Sequence, residues 1–179
     1  MKKQHVEHVL RAAAKITGET QFIIVGSQAL HGKFPDIPDE IAMSVEVDLI
    51  ATKNADRTEW LNAIGQDSVF HETYGYYADP VDESTATLPT GWRGRLVNLR
   101  AGNVLGLCLE PHDLAIAKYV ARRQKDLRFT REIARRGYTR QARLLELLEL
   151  TPVADEIKAR IAKDIRADFK TATSARRKK

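Results

Sequence analysis

A chain of 179 residues is long enough to bury its own core, and it predicts one domain or one domain with a small appendage. Its single cysteine, Cys108, excludes an internal disulfide and favours a cytoplasmic protein, and no segment is typical of a signal peptide or a membrane span. Residues 1–110 contain 10 basic and 15 acidic side chains, whereas residues 111–179 contain 19 basic and 9 acidic side chains. The acidic part suits cations; the basic part suits phosphate groups or a solvated helical surface.

The front of the chain alternates between predicted helices and strands. Apolar residues recur at helical spacing over residues 5–16, and Gly18 is expected to end this helix. Residues 21–25 predict a short strand that stops at Gly26, followed by a helical turn. Residues 45–51 predict a second strand, which becomes fully apolar as it enters the core.

The middle of the chain is predicted as one helix followed mainly by strands. The helix covers residues 55–64, with Trp60, Leu61 and Ile64 on one apolar face. The segments that follow are a β-prone aromatic run, a loop and the two strands of a hairpin, at residues 70–77, 79–91, 95–99 and 104–109.

After Pro111 the pattern is helical throughout. A long basic helix is predicted over residues 112–136, and shorter helices follow. The expected fold is therefore α/β, with a mixed sheet flanked by helices and a helical C-terminal part. The predicted divisions are a sheet domain at 1–110, a basic helical part at 111–173 and a disordered basic tail at 174–179.

A glycine–serine pair, Gly26 and Ser27, lies where the first strand gives way to a helical turn. Glycine lets a phosphate approach the backbone closely, and the N–H groups that open a helix carry partial positive charge. The Ser27 hydroxyl adds another donor. The pair predicts a phosphate-binding turn, and a turn with only a structural role is the alternative.

Two acidic residues, Glu46 and Asp48, interrupt the apolar strand predicted at residues 45–51. Side chains two residues apart project from the same face of a strand, so these carboxylates are expected to lie side by side while Val47 faces the other way. Neighbouring carboxylates repel each other unless a cation joins them, and oxygen ligands suit Mg²⁺ or Mn²⁺. The spacing predicts a metal site, and two solvated acids at a strand edge are the alternative.

Three basic residues are expected on one face of the long helix after Pro111. Lys118, Arg122 and Lys125 are spaced i, i+4 and i+7, which places them together on a continuous helix. They would either neutralise phosphate charge or serve only as a soluble surface.

The order of the glycine–serine turn and the acid pair resembles the nucleotidyltransferase fold of the polymerase-beta type. That family has a Gly-Ser turn opening a helix and then a strand with two acids one residue apart, as Gly26-Ser27 and Glu46-x-Asp48 have here. Later blocks are similar to a bacterial branch of this fold that resembles the nucleotidyltransferase toxins of AbiE-type toxin–antitoxin systems. Those blocks are residues 68–77, 88–96, 109–114, Lys118 and 123–126.

The resemblance implies a metal-dependent enzyme that moves a nucleotide from an NTP to RNA, such as a tRNA end, or to a protein hydroxyl. It also implies Mg²⁺ or Mn²⁺ as the cofactor and, for a toxin, an antitoxin protein as the partner. The site residues that it implies are Glu46 and Asp48 for the metal and catalysis, and Gly26, Ser27, Lys118, Arg122 and Lys125 for the nucleotide.

The third carboxylate of the family has no counterpart on the strand predicted at residues 95–99, where Asn98 stands instead. Upstream acids are candidates for its place: Glu72 in the β-prone run, and Asp79, Asp82 and Glu83 in the predicted loop. A chain without this group would be a catalytically incomplete nucleotide- or nucleic-acid-binding protein of the same fold, which is the alternative function.

Overall fold

The computed structural model describes the backbone of residues 1–176 and the side chains of residues 1–171. The chain forms two compact units. The first comprises Met1–Thr85 and Arg95–Glu110, and the second comprises Ala86–Gly94 with the helices that begin at Pro111. Within the described residues, no helix is both long enough and apolar enough to cross a membrane.

The first unit is built on a five-stranded mixed sheet. Its strands are β1 (Gln21–Ile24), β2 (Glu46–Ala51), β3 (Tyr77–Pro80), β4 (Val97–Ala101) and β5 (Val104–Cys108). They lie in the order β3-β2-β1-β5-β4. β1 pairs antiparallel with β2 and parallel with β5, β3 lies parallel to β2, and β4 and β5 form the predicted hairpin. The predicted α/β class with a mixed sheet is confirmed.

Helix α1 (Lys3–Thr17) packs against this sheet, as the apolar periodicity predicts. It ends at Gly18, whose φ of 70° is the left-handed conformation that glycine adopts readily. Leu10 is fully buried and lies close to Gly106 of β5, where an added Cβ would be 3.0 Å from the Leu10 Cδ1 atom. Burial of such a side chain contributes about 1.5–3 kcal/mol, so this face of α1 anchors the helix.

Two predictions for the middle of the chain are wrong. Of residues 70–77, Tyr77 alone lies in a strand, because Ser68 caps helix α2 (Val69–Tyr74) by accepting a hydrogen bond from the His71 backbone N–H at 3.2 Å. Local capping therefore overrides the β propensity of the aromatic residues. Trp60 is 54% exposed rather than inward-facing, since Ala55–Ile64 is a 3₁₀ helix and side chains three residues apart, Leu61 and Ile64, share its buried face.

The second unit is helical. Its helices are α3 (Pro111–Ala121), α4 (Gln124–Arg135), α5 (Gln141–Glu149) and α6 (Asp155–Arg176). The single helix predicted at residues 112–136 is wrong, because Arg122 has a φ of 56° and interrupts it. The Asp126 carboxylate then accepts a hydrogen bond from the Arg123 backbone N–H at 3.2 Å and starts α4. Helix α6 continues to Arg176, within the tail predicted at 174–179, and residues 177–179 lie outside the described part.

Candidate metal and nucleotide site

The acid pair lies on one face of β2, as its spacing predicts. Glu46 and Asp48 are half-buried. Val47, which lies between them, and Leu49, which follows them, are fully buried on the opposite face. The strand therefore keeps its apolar side in the core and presents both carboxylates on the other side. The alternation of side chains along β2 is therefore enough to bring the two carboxylates together.

A third carboxylate, Asp79, lies beside this pair on β3. The parallel register sets Asp79 opposite Asp48, and Tyr77 opposite Glu46, so their side chains project from the same face of the sheet. Burial raises the pKa of the Asp79 carboxyl, and the negative charge of Glu46 raises it further. The loop predicted from residue 79 is therefore wrong at its first two residues, because β3 continues to Pro80.

The sequence offered Asp79 as one of four candidates but did not place it on a strand, because β3 has only four residues and ends in proline, which is a loop signal. In the structure, Ala78 is buried between the half-buried Tyr77 and Asp79, which repeats the alternation of β2. The strand predicted at residues 95–99, where the third acid was sought, forms β4 at the far edge of the sheet, with β1 and β5 between it and β2.

The other acids considered for this place lie outside the sheet. Glu72 is exposed on α2. Asp82 is exposed, and its carboxylate accepts a hydrogen bond from the Ser84 backbone N–H at 2.7 Å, which fixes a short turn. Glu83 begins that 3₁₀ turn. Among the four candidates, Asp79 is the one that pairs in register with the acid strand.

Tyr77 and His71 form the aromatic border of the acid face. Burial raises the pKa of the Tyr77 phenol, and the charges of Glu46, Asp79, Asp48 and Asp67 raise it further. The His71 ring meets the Tyr77 ring edge-on at 4.6 Å, and its Nδ1 atom accepts a hydrogen bond from the Asp67 backbone N–H at 3.1 Å. Four acidic side chains therefore lie near the Tyr77 phenol.

The glycine–serine turn and the acid pair come together at Gly26. An added Cβ at Gly26 would lie 1.6 Å from the Oδ2 atom of Asp48 and 2.6 Å from its Cγ atom. Gly26 has a φ of −88°, which any residue can adopt, so glycine is needed for space and not for backbone conformation. Ser27 follows at once and opens the 3₁₀ helix Ser27–Gly32.

The donor set on this face fits a hard divalent cation. Glu46, Asp48 and Asp79 offer only carboxylate oxygens, the ligands that Mg²⁺ and Mn²⁺ prefer. Among the described residues, no group of three or more His, Cys, Asp or Glu side chains is gathered so as to hold a metal ion by itself. Mg²⁺ usually takes one or two carboxylates and completes its shell with waters and substrate phosphates, so the acid pair suits a metal that arrives with a nucleotide.

The three predicted nucleotide-binding cations of the second unit do not share one helix face. Lys118 lies on α3, with its Nζ atom 3.2 Å from the Oδ1 atom of the buried Asp126. Arg122 lies at the break, with its Nε atom 3.3 Å from the Oδ2 atom of Asp164. Lys125 is exposed on α4. The positive φ at Arg122 ends the helical spacing that the prediction assumed.

Comparison with known proteins identifies the family. The family described as "Nucleotidyltransferase of unknown function (DUF6036)" matches residues 4–177. No curated protein and no solved structure shows significant similarity to the chain. The match spans nearly the whole sequence, including Gly26, Glu46, Asp48 and Asp79. The chain therefore belongs to the DUF6036 family of nucleotidyltransferases of unknown function.

Proposed function

We propose that this protein is a metal-dependent nucleotidyltransferase that moves a nucleoside monophosphate from an NTP to a hydroxyl acceptor. The observation that carries the proposal is the position of three carboxylates, Glu46, Asp48 and Asp79, on one face of two paired strands beside Gly26. Membership in a nucleotidyltransferase family supports the same activity.

Glu46 and Asp48 would hold Mg²⁺ or Mn²⁺ together with the NTP. The bound metal would supply polarisation of the phosphate oxygens and neutralisation of their charge. Gly26 leaves the turn without a side chain, and the Ser27 hydroxyl would donate a hydrogen bond to a phosphate oxygen. These residues therefore position the triphosphate and bring no covalent chemistry of their own.

Asp79 would act as the general base. The acceptor hydroxyl oxygen attacks the α-phosphorus, its proton passes to the Asp79 carboxylate, and the bond to the departing pyrophosphate breaks. A raised pKa suits this task, because it makes the carboxylate a better proton acceptor near neutral pH. Proton removal by a positioned base is worth roughly 10²–10⁴ in rate. Asp79 is the residue that we propose for this role, for which the sequence alone offered four candidates.

RNA, such as a tRNA end, is the proposed acceptor, and Lys118, Arg122 and Lys125 are the proposed phosphate contacts of the second unit. The 19 basic against 9 acidic residues after Pro111 support this choice. Lys118 and Arg122 would have to exchange their carboxylate partners for phosphates, whereas Lys125 is exposed at the start of α4.

The resemblance to AbiE-type toxins leads to the further proposal that transfer arrests growth and that an antitoxin protein relieves it. Induced expression in a bacterial host should then slow growth, and Asp48→Ala should abolish the effect. A parent that leaves growth unchanged, with transfer activity intact, would contradict the toxin role and leave the transferase proposal standing.

The test of the transferase proposal is incubation with each α-labelled NTP, Mg²⁺ and total RNA or lysate protein. Label is expected to pass to an acceptor with the parent chain and to disappear with Asp48→Ala and with EDTA. The alternative is the catalytically incomplete binding protein. Measurable NTP binding without transfer to any acceptor would favour that alternative.

A further inference from the structure

Five aromatic side chains lie together on the first unit, away from the acid strand. They are His5 and His8 on α1, Phe70 and Tyr74 on α2, and Tyr76 just before β3; we call them the aromatic cluster. The proposed function uses none of them. Each makes ring contacts within the cluster at centroid distances between 4.6 and 6.0 Å.

The cluster does not belong to the core. No side chain of α2 is buried, Tyr74 is 49% exposed and the neighbouring Val69 is 79% exposed. His5, His8, Phe70 and Tyr76 are only half-buried. Aromatic rings stabilise a fold chiefly through burial, so exposed rings kept in mutual contact indicate a surface for a ligand.

Three rings of the cluster are nearly parallel. His5 stacks on Tyr76 at 4.7 Å with an interplanar angle of 12°, and Tyr76 lies 6.0 Å from Tyr74 at 27°. The His8 Nδ1 atom is 2.9 Å from the Tyr76 hydroxyl oxygen, which fixes the middle ring. The stack is therefore preorganised, and Tyr74 is its exposed member.

Positive charge borders the rings. Arg11 and Lys15 are exposed on α1, three and seven residues after His8, so they lie on the same side of the helix. Burial lowers the pKa of His8, and the charges of Arg11 and Lys15 lower it further, which places both cations near the cluster. Of the acids on these helices, Glu7 pairs with Lys3 at 4.0 Å and Glu72 is exposed on α2.

We propose that the aromatic cluster binds single-stranded RNA, with bases stacking on Tyr74 and phosphates meeting Arg11 and Lys15. Stacked rings beside cations are the common means of holding unpaired bases, and they suit RNA better than an apolar protein helix. Tyr76 directly precedes Tyr77, whose Cα atom pairs with that of Glu46. The aromatic cluster and the acid strand therefore belong to the same unit, and the cluster would hold an RNA acceptor within it.

The inference deepens the proposed function, since it names the surface that holds the acceptor. RNA binding at the cluster needs neither metal nor NTP, so the two proposals fail separately. Asp48→Asn should keep RNA affinity while losing Mg²⁺·NTP binding, and Tyr74→Ala should do the reverse.

The test is fluorescence anisotropy of a labelled oligouridylate of about 12 nucleotides, titrated with the full chain in EDTA without NTP. Tyr74→Ala should weaken binding at least about fivefold, the low end for loss of one stacked base, and Tyr74→Phe should keep the parent affinity because it keeps the ring. Arg11→Gln should reduce the dependence of affinity on salt. Trp60→Ala, which removes an exposed ring outside the cluster, is the matched control and should bind as the parent does.

Equal affinity of Tyr74→Ala and the parent, with an unchanged melting temperature, would overturn the proposal and place RNA binding elsewhere. Absence of RNA binding by the parent would also overturn it. Light scattering provides a second check: a dimer that Tyr74→Ala converts to a monomer would identify the cluster as a contact between copies, contrary to the proposal.

Discussion

Gly26 and Asp48 are in such close contact that no other residue fits at position 26 while the Asp48 carboxylate stays where it is. An added Cβ would stand 1.6 Å from the Oδ2 atom of Asp48. The Val25 N–H donates a hydrogen bond to the Asp48 backbone oxygen at 3.2 Å, so the two backbones are fixed as well. The glycine–serine turn and strand β2 are thus one steric unit.

Gly26→Ala is expected to displace the Asp48 carboxylate. Overpacking of this kind costs about 1–3 kcal/mol of unfolding free energy, and the stabilisation of the chain by Mg²⁺·NTP should be lost. Denaturant unfolding and thermal shift measure the two effects. Gly94→Ala is the matched control, because a Cβ at Gly94 meets no heavy atom within 4 Å.

A double-mutant cycle isolates this contact. Asp48→Ala removes the carboxylate that a new Cβ at position 26 would strike, so Gly26→Ala should cost less in the Asp48→Ala background than in the parent. Additive losses of stability in the two single variants and the double variant would show that the close contact does not govern position 26.

The pH dependence of stability should report on Asp79. Its pKa is raised in the folded chain, so the folded state binds this proton more tightly than the unfolded state does. Ionisation of Asp79 therefore destabilises the folded chain, and this destabilisation is complete above the folded pKa. Below the ordinary carboxyl pKa of about 3.9 the group is protonated in both states, and the effect is absent. Asp79→Asn should therefore raise Tm at neutral pH, by about 2–4 °C for each kcal/mol of destabilisation that it removes. In acid, below the ordinary carboxyl pKa, its Tm should equal that of the parent.

The same variant should be a poor enzyme. Loss of the proposed general base is expected to lower the transfer rate by roughly 10²–10⁴ while NTP affinity changes little. Glu72→Gln, at an exposed acid on α2, is the control for both measurements. A variant Asp79→Asn that melts below the parent at neutral pH, or transfers at the parent rate, would contradict the assignment.

Lys118 should prove important for stability. Asp126 is only 2% exposed and its carboxylate lies 3.2 Å from the Lys118 Nζ atom, so removal of Lys118 leaves a buried charge with fewer partners. Lys118→Ala should cost about 1–3 kcal/mol of unfolding free energy, whereas Lys125→Ala at an exposed position should change it by less than about 0.5 kcal/mol. Equal stability of the two variants would show that Lys118 is not tied to Asp126, and would strengthen its proposed contact with phosphate.

Cys108 should be inert in the folded chain. It is fully buried, and burial raises the pKa of its thiol to about 12, so roughly one thiol in 10⁴ is ionised near pH 8. Labelling with a thiol reagent should follow the unfolding rate, and the denatured chain should react at once with one equivalent. Fast reaction of the native chain would mean that β5 is exposed to solvent.

The main strands and the acid pair could be predicted because alternation reports burial directly, as the buried Val47 between two half-buried acids shows. Asp79 could not be placed, since a four-residue strand ending in Pro80 carries a loop signal and its partner β2 is distant in sequence. The break at Arg122 depends on a positive φ at a non-glycine residue, which no periodicity reveals. The contact of Gly26 with Asp48 likewise depends on tertiary packing alone.

Mn²⁺ binding, followed by electron paramagnetic resonance with and without NTP, tests the metal site most directly. With NTP present, the parent is expected to bind about one Mn²⁺ per chain tightly, with Glu46 and Asp48 as protein ligands. Glu46→Gln with Asp48→Asn should abolish this binding, while Glu72→Gln should retain it. Unchanged Mn²⁺ binding in the Glu46→Gln, Asp48→Asn double variant would contradict the site.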